Sequence, residues 1–423
     1  MTVGKTISEK ILSMKSGRDA RAGDLIVCKV DHAMGTDGST PMAIDYFEEM
    51  GGSRVHDPDR LVFVMDHYSG AEPPGTSMHA KMRVFAAQLG IRVHDVGEGI
   101  SHQLMVESGR ALPGGLLAGA DSHSVTGGAL NAFATGIGSS DLAAILICGH
   151  IWLKVPRTIK VVLTGRPGPH VYPKDIALEL ARVIGADGAA YQTIEYHGPG
   201  SAMLDLEDRL VLSNMSVEMG AKAGIFPADQ KTFAYLEGRA PEKILPVEAD
   251  ADAQYSREIT LDLTALAPQV ARPHAVDNVG TIRDALGTPI QMVCLGTCTG
   301  GRARDFHQAL KILLAAGGIA AGVRLIVTPA STEVEAELRG DGTLKRLEAM
   351  GATIAPPGCG ACCGTAGTIP KDDANVMSTA NRNFKARMGN ASASIYLASP
   401  ASCAAAAATG RITDPTDFGE ARQ

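Results

Sequence analysis

The sequence predicts an α/β protein of several domains built on mainly parallel sheets, and three observations predict it. Short apolar runs of strand length alternate with helix-period stretches along the whole chain. Hydrophobic residues make up 45% of the 423 positions and aromatics only 4%, with 48 glycines, a balance that suits α/β layers with small residues at close helix–sheet contacts. Several of the apolar runs end on Asp or His, and the carboxyl ends of strands are where open α/β sheets gather their sites. The length exceeds one ordinary domain, and three α/β units are expected, over residues 1–155, 156–275 and 276–423.

In the first unit, Thr6-Ile7-Ser8-Glu9 has the form of a helix capping box, so a helix is expected over Thr6 to Met14. Asp24 to Val30 reads as a strand, with Asp31-His32 after it, and Leu61 to Met65 as a second that delivers Asp66-His67. Ile91 to His94 is a third, followed by Gly97 to His102; Leu116 to Ala120 is a fourth, followed by Asp121-Ser122-His123. One histidine after a strand usually bonds backbone. Three such ends, carrying His67, His102 and His123 with carboxylates beside two of them, point to acid–base chemistry, because a neighbouring carboxylate fixes an imidazole's tautomer or raises its pKa. His79 is taken as structural. Leu142 to Trp152 reads as a buried helix.

In the second unit, Thr158 to Leu163 is a strand and Lys174 to Ile184 a helix. Leu212 to Lys222 has helical period, which puts Asn214 and Glu218 on one face. The third unit opens with the strand Ile290 to Leu295, a helix over Arg302 to Ala315, a strand over Val323 to Val327, a helix over Thr332 to Met350, and a short strand at Thr353 to Ala355. Ser394 to Ala398 and Ala401 to Thr409 close it as strand and helix. Arg382 and Arg387 lie near Asn381 and Asn383. Planar guanidinium forks suit carboxylates, and a solvated basic loop is the alternative.

Of eight cysteines, three stand out. Cys359 and Cys362 form a Cys-x-x-Cys pair in the turn Gly358 to Gly364, and Cys298 follows the strand that ends at Leu295. A Cys-x-x-Cys pair alone also fits half a zinc site or a redox couple. Three thiolates beside bare glycine backbone suit an iron–sulfur cubane with one iron left open, since a closed cluster takes four cysteines.

A formal net charge of −7 argues against a nucleic-acid or anionic-membrane surface. The scattered cysteines are not a secreted disulfide framework. The N-terminus carries no apolar signal core, and no run is long enough to cross a bilayer. A soluble, cytoplasmic protein in a reducing compartment is expected.

With these residues in view, the chain resembles the aconitase superfamily, and within it the large subunits of the two-subunit isopropylmalate isomerases and their homoaconitase-like relatives. The motifs that carry the resemblance are Val96 to Gln103, Ala120 to Ser124, Ala134-Thr135-Gly136, Pro357 to Cys362 and Asn381 to Phe384. It implies three α/β domains around one 4Fe-4S cluster, without the family's swivelling fourth domain. It implies Cys298, Cys359 and Cys362 as cluster ligands, and His67, His102, Asp121, His123 and Glu218 as the catalytic set. Asp37, Ser122, Asn214, Asn381, Arg382 and Arg387 are implied as the substrate-binding set. It further implies a separate small subunit carrying the swivelling domain and a serine base. The implied reaction is reversible dehydration and rehydration of a hydroxy dicarboxylate, isomerising 2- and 3-isopropylmalate in leucine biosynthesis. Homocitrate or homoaconitate, 2,3-dimethylmalate, and citraconate or maleate are alternative substrates. An iron-sensing RNA-binding protein and a zinc-stabilised scaffold are alternatives of other classes. Gly300, Ala361 and Thr36 depart from residues common in the resembled proteins.

Overall fold

Strands that are apolar on both faces need cover on both sides, and the first sheet is of this kind. The computed structural model describes residues 4–419 apart from positions 70, 73, 241–243 and 367. The chain packs into two compact units, one of Met1–Val96, Ser101–Thr164 and Asp187–Leu261, the other of Gly97–Ile100, Gly165–Ala186 and Asp262–Gln423.

The first unit holds a five-stranded sheet in the order Arg92–His94, Leu61–Val64, His32–Thr36, Leu116–Ala120, Phe133–Gly136. Every pairing in it is parallel. Its central strands are buried at every position. One core cluster gathers Ile7, Ile11, Phe47, Phe63, Phe85 and Leu142. The helix Ile7–Ser16 starts on the expected capping box, Thr6 with Glu9. A second, four-stranded sheet runs Ala223–Ile225, Gln192–His197, Arg157–Thr164, Arg257–Asp262.

Three expectations about this unit change. The run at Asp24 to Val30 does form a strand, Leu25–Lys29, but it pairs antiparallel with His150–Lys154 in a two-stranded ribbon. The strand that enters the parallel sheet is His32–Thr36, in the stretch read as a strand end. It lacks a β-branched run. Gly35 lets helix Thr40–Glu49 approach, because a Cβ there would lie 2.2 Å from Thr40 Oγ1. The helix expected over Leu142 to Trp152 ends at Cys148, where Gly149 turns left-handed at φ 72° and the ribbon strand begins.

The second unit holds a seven-stranded sheet: Val279–Thr281, Gln269–Ala271, Ser394–Ala398, Asn375–Ser378, Met292–Gly296, Arg324–Thr328, Thr353–Ile354. The last five strands are mutually parallel, and Gln269–Ala271 joins them antiparallel. Helices Ala303–Ala316 and Pro400–Thr409 share one core cluster, the second offering Ala401, Ala404, Ala405 and Ala407, small side chains that permit close approach. The helix expected from Thr332 to Met350 is two, Thr332–Gly340 and Thr343–Ala349, because Gly342 takes φ 82° between them. In the first unit, similarly, the stretch from Leu212 is helical only to Met215, and Glu218 lies in a following 3-10 turn, Ser216–Met219.

Candidate active site

In the first unit, three parallel strands deliver charged residues at their carboxyl ends. Asp37 follows Thr36, Asp66-His67 follows the strand Leu61–Val64 by one residue, and Asp121 follows Ala120. His67 Nδ1 lies 2.7 Å from Asp66 Oδ1, and its Nε2 lies 3.3 Å from Asp121 Oδ2. The other Asp121 oxygen lies 3.1 Å from His102 Nε2 and accepts the His123 backbone N–H at 2.8 Å. His123 Nε2 meets Glu218 Oε1 at 2.7 Å. Ser122 Oγ lies 3.4 Å from His123 Nδ1. The five residues implied as catalytic therefore form one connected network.

Their supports come from the same local folding. His102 is the second residue of helix Ser101–Glu107, whose first backbone N–H, that of Ser101, donates to Asp66 Oδ2 at 2.8 Å, a carboxylate at a helix N-terminus. Asp37 is wholly buried, and its oxygens accept from the backbone of His67 and Tyr68 and meet His79 Nε2 at 2.8 Å. That geometry fits a clamp on the His67 loop. Asn214 is also fully buried, and its amide donates to Thr126 Oγ1 at 2.9 Å, bracing the segment that carries His123.

The electrostatics separate the partners. Burial works against charge on His67, but Asp66 and Asp121 outweigh it and hold the imidazole well above its ordinary value. Burial would raise Asp121, yet His102, His123 and His67 hold it well below the usual carboxylate range. Burial and the nearby Asp66 charge push Asp37 up, against its bond from His79. A carboxylate kept ionised among three imidazoles is equipped to hold protons on ring nitrogens and to move them.

The second unit carries the cysteines. Cys298 lies in the turn Thr297–Gly300 after strand Met292–Gly296, while Cys359 precedes and Cys362 ends the turn Gly360–Cys362. All three are buried and free. Gly296 and Gly360 are required for close approach: a Cβ on Gly296 would fall 2.0 Å from Thr328 O, and one on Gly360 2.7 Å from Thr328 Oγ1. Asn381 joins two of the sulfurs, donating to Cys298 Sγ at 3.2 Å and receiving Cys362 Sγ at 3.6 Å. Arg387 Nη2 donates to Cys362 Sγ at 3.2 Å. Arg382 is half-buried beside Asn381, and Cys363 is half-exposed with Sγ 2.8 Å from Thr365 Oγ1.

Three properties of this trio bear on what it can hold. Bonds from Cys362 and Cys363, then burial, push the Cys359 thiol well up, so the thiolates there need a cationic partner. Arg387 Nε is buried without a hydrogen-bond partner among the described residues. Among the same residues, the groups whose ligand atoms close to within 4.8 Å of one another are His102–Asp121–His123 and Asp37–Asp66–His67, and the cysteine trio is not one of them. Three buried, free thiols are a donor set open to an iron–sulfur centre as well as to zinc.

A family model described as the aconitase family (aconitate hydratase) matches residues 9–290 and 283–410. The chain belongs to the aconitase family. It is 47% identical over 420 residues to the 3-isopropylmalate dehydratase large subunit 1 of Thermotoga maritima, covering 98% of this chain and 100% of that one. It is 45% identical to the corresponding large subunit 1 of Methanopyrus kandleri, with the same coverage. The probable methanogen homoaconitase large subunit of Methanosarcina mazei is 43% identical over 92% of this chain and 99% of its own length.

Sequence reasoning does not reach the partners of three side chains here. His79 is structural, as expected, but its partner Asp37 is 42 positions away and no local pattern shows it. Lys174 was read only as part of a helix, and Arg302 as the start of one, yet both are buried close to Cys298 or its neighbours. Their burial depends on packing partners that no local pattern announces.

Proposed function

We propose that this chain is the large subunit of a two-subunit hydro-lyase that reversibly dehydrates and rehydrates a hydroxy dicarboxylate. Of the candidate substrates, the 2-isopropylmalate/3-isopropylmalate pair is favoured, because relatives at 40–47% identity over nearly the whole chain carry that name. Homocitrate and homoaconitate are the second reading, supported by the methanogen relative. The observation that carries the hydro-lyase reading is the pairing of two sets within one chain: a buried Cys298–Cys359–Cys362 trio bonded by Asn381 and Arg387, and an Asp121-centred imidazole network. The relatives' description as large subunits supports a separate small partner.

The three buried free thiols, with Asn381 and Arg387 donating to their sulfurs, fit a 4Fe-4S cluster with Cys298, Cys359 and Cys362 as its ligands. When bound, such a cluster supplies an open Lewis-acid iron that makes a hydroxyl a better leaving group. The chain's own residues do the rest. Arg382 and Arg387 grip carboxylate and fix orientation. Asn381 holds two sulfurs in place. Asp121 faces the Nε2 atoms of His67 and His102 and orients both rings, and His102 is the group that gives a proton to a departing oxygen. Glu218 orients His123 through Nε2, and Ser122 adds a hydroxyl at the same loop. Asp37, Asp66 and Asn214 keep these loops in register.

The test is reconstitution of the chain with iron and sulfide under anaerobic conditions, followed by addition of a short partner subunit. Visible charge-transfer absorbance, iron and sulfide in the wild type, their loss in Cys359→Ser, and hydratase activity on a dicarboxylate panel are expected. A wild type that takes up zinc alone sinks the reading.

A further inference from the structure

Lys174 is a buried ammonium with an uncommon neighbourhood. It stands in the first turn of helix Pro173–Ile184 and is 1% exposed. Its Nζ donates to the carbonyl of Ala380 at 3.0 Å. The next residue, Asn381, bonds the sulfurs of both Cys298 and Cys362. Asp175, its neighbour in sequence, turns its oxygens to the backbone N–H groups of Gln269 and Tyr172, each at 2.8 Å.

An ammonium buried this deeply needs negative charge nearby. Burial pulls the Lys174 ammonium down to about 8, and the groups that oppose this and favour its charge are, in order, Cys298, Cys403, Asp305 and Cys362. Burial pushes the Cys403 thiol up, which keeps that sulfur neutral. Cys298 and Cys362 are different, because a metal-bound thiol is a thiolate. Arg302 is a second buried cation, on the strand-to-helix turn that carries Cys298. It donates from Nη2 to the Cys298 carbonyl at 3.0 Å, and its Nε and Nη1 have no hydrogen-bond partner among the described residues.

We propose that Lys174 is a positioning residue that acts through Ala380–Asn381 and Cys298, offsetting the negative charge of the thiolate cage and so setting how firmly the cluster is kept and how readily it accepts an electron. The inference rests on the cluster reading above. Without the ammonium, the reduced cluster, which carries one more negative charge, is the form most penalised. The midpoint potential should then become more negative.

Lys174→Gln separates charge from structure, since the amide can still donate to Ala380 O. Lys174→Arg keeps the charge. The full-length chain is reconstituted anaerobically, and two quantities are read: iron release to a chelator, and midpoint potential by mediated redox titration. The glutamine variant is expected to release iron roughly 10–100-fold faster, the usual scale for groups that support metal ligands, and to titrate at a more negative potential. The arginine variant should stay near wild type in both. A glutamine variant matching wild type in both overturns the role of Lys174. If the glutamine variant fails to fold by circular dichroism, the arginine variant decides, and a shift in its potential or release overturns the proposal. A wild type that takes up no iron and sulfide overturns the cluster reading instead.

Discussion

At the scale of single residues, the chemistry is a matter of which charges share a space. His67 sits between Asp66 and Asp121, at 2.7 and 3.3 Å. The ring's elevated folded value sets the sign of a pH effect. Stability from a raised imidazole is present in full below its unfolded value, about 6.5, and is lost as pH rises through the higher folded value. Replacing Asp66 with Asn should therefore lower the thermal midpoint most at mildly acidic pH, and the gap to wild type should narrow toward alkaline pH. Melting curves across that range check it, and a gap that widens with pH contradicts the assignment. That His67 and Asp66 form a pair was legible from their adjacency. That Asp121 reaches the other face of the ring was not, since 54 positions of chain separate them and only strand order brings them together.

At the scale of elements, turns and caps decide where the functional groups stand. The helix Pro173–Ile184 is pinned at its start by the wholly buried Asp175, which accepts from Tyr172 and Gln269. Asp175→Ala would strand the buried Gln269 N–H and the part-buried Tyr172 N–H. Burial pushes the Asp175 carboxyl up to about 7, so the cost is that of leaving these donors unsatisfied, about 1–3 kcal/mol each, and a loss of about 2 kcal/mol or more is expected in chemical denaturation. An effect below about 1 kcal/mol would mean those N–H groups find other partners. The helix itself was readable from its period, as were the helices Ala303–Ala316 and Pro400–Thr409. The departure at Gly300 has its reason at this scale: a Cβ there would fall 2.4 Å from Thr379 Cβ, and the Thr379 hydroxyl bonds the N–H and carbonyl of Gly296. In this chain Thr379 occupies the space that a side chain at 300 would need.

At the scale of the whole molecule, the strands parcel the sequence almost sheet by sheet. The five-stranded sheet and the ribbon lie before residue 155, the four-stranded sheet lies between 156 and 275, and the seven-stranded sheet takes only Gln269–Ala271 from before 276. We propose the divisions near 155 and 275 as modules of sequence on this ground. Compactness follows a different line, because residues 165–186 pack with the C-terminal segment while 187–261 pack with the N-terminal one. A fragment of residues 276–423 therefore lacks the strand Gln269–Ala271 and the helix Pro173–Ile184. It should show no cooperative thermal transition, whereas the full chain should. A sharp transition in the fragment would make those two elements dispensable.

The sequence by itself determined the fold class, most of the strands and helices, the three cysteines, and the Asp–His pairs at strand ends. Periodicity and local turn chemistry are properties of neighbouring residues, and they survive without any partner. Tertiary structure alone decided that His32–Thr36 enters the sheet while Leu25–Lys29 leaves it, that Asp37 clamps a loop with His79, and that Lys174 and Arg302 lie buried near Cys298. Those outcomes depend on burial and on partners distant in the chain, where the cost of hiding a charge is met by groups that no stretch of sequence contains together.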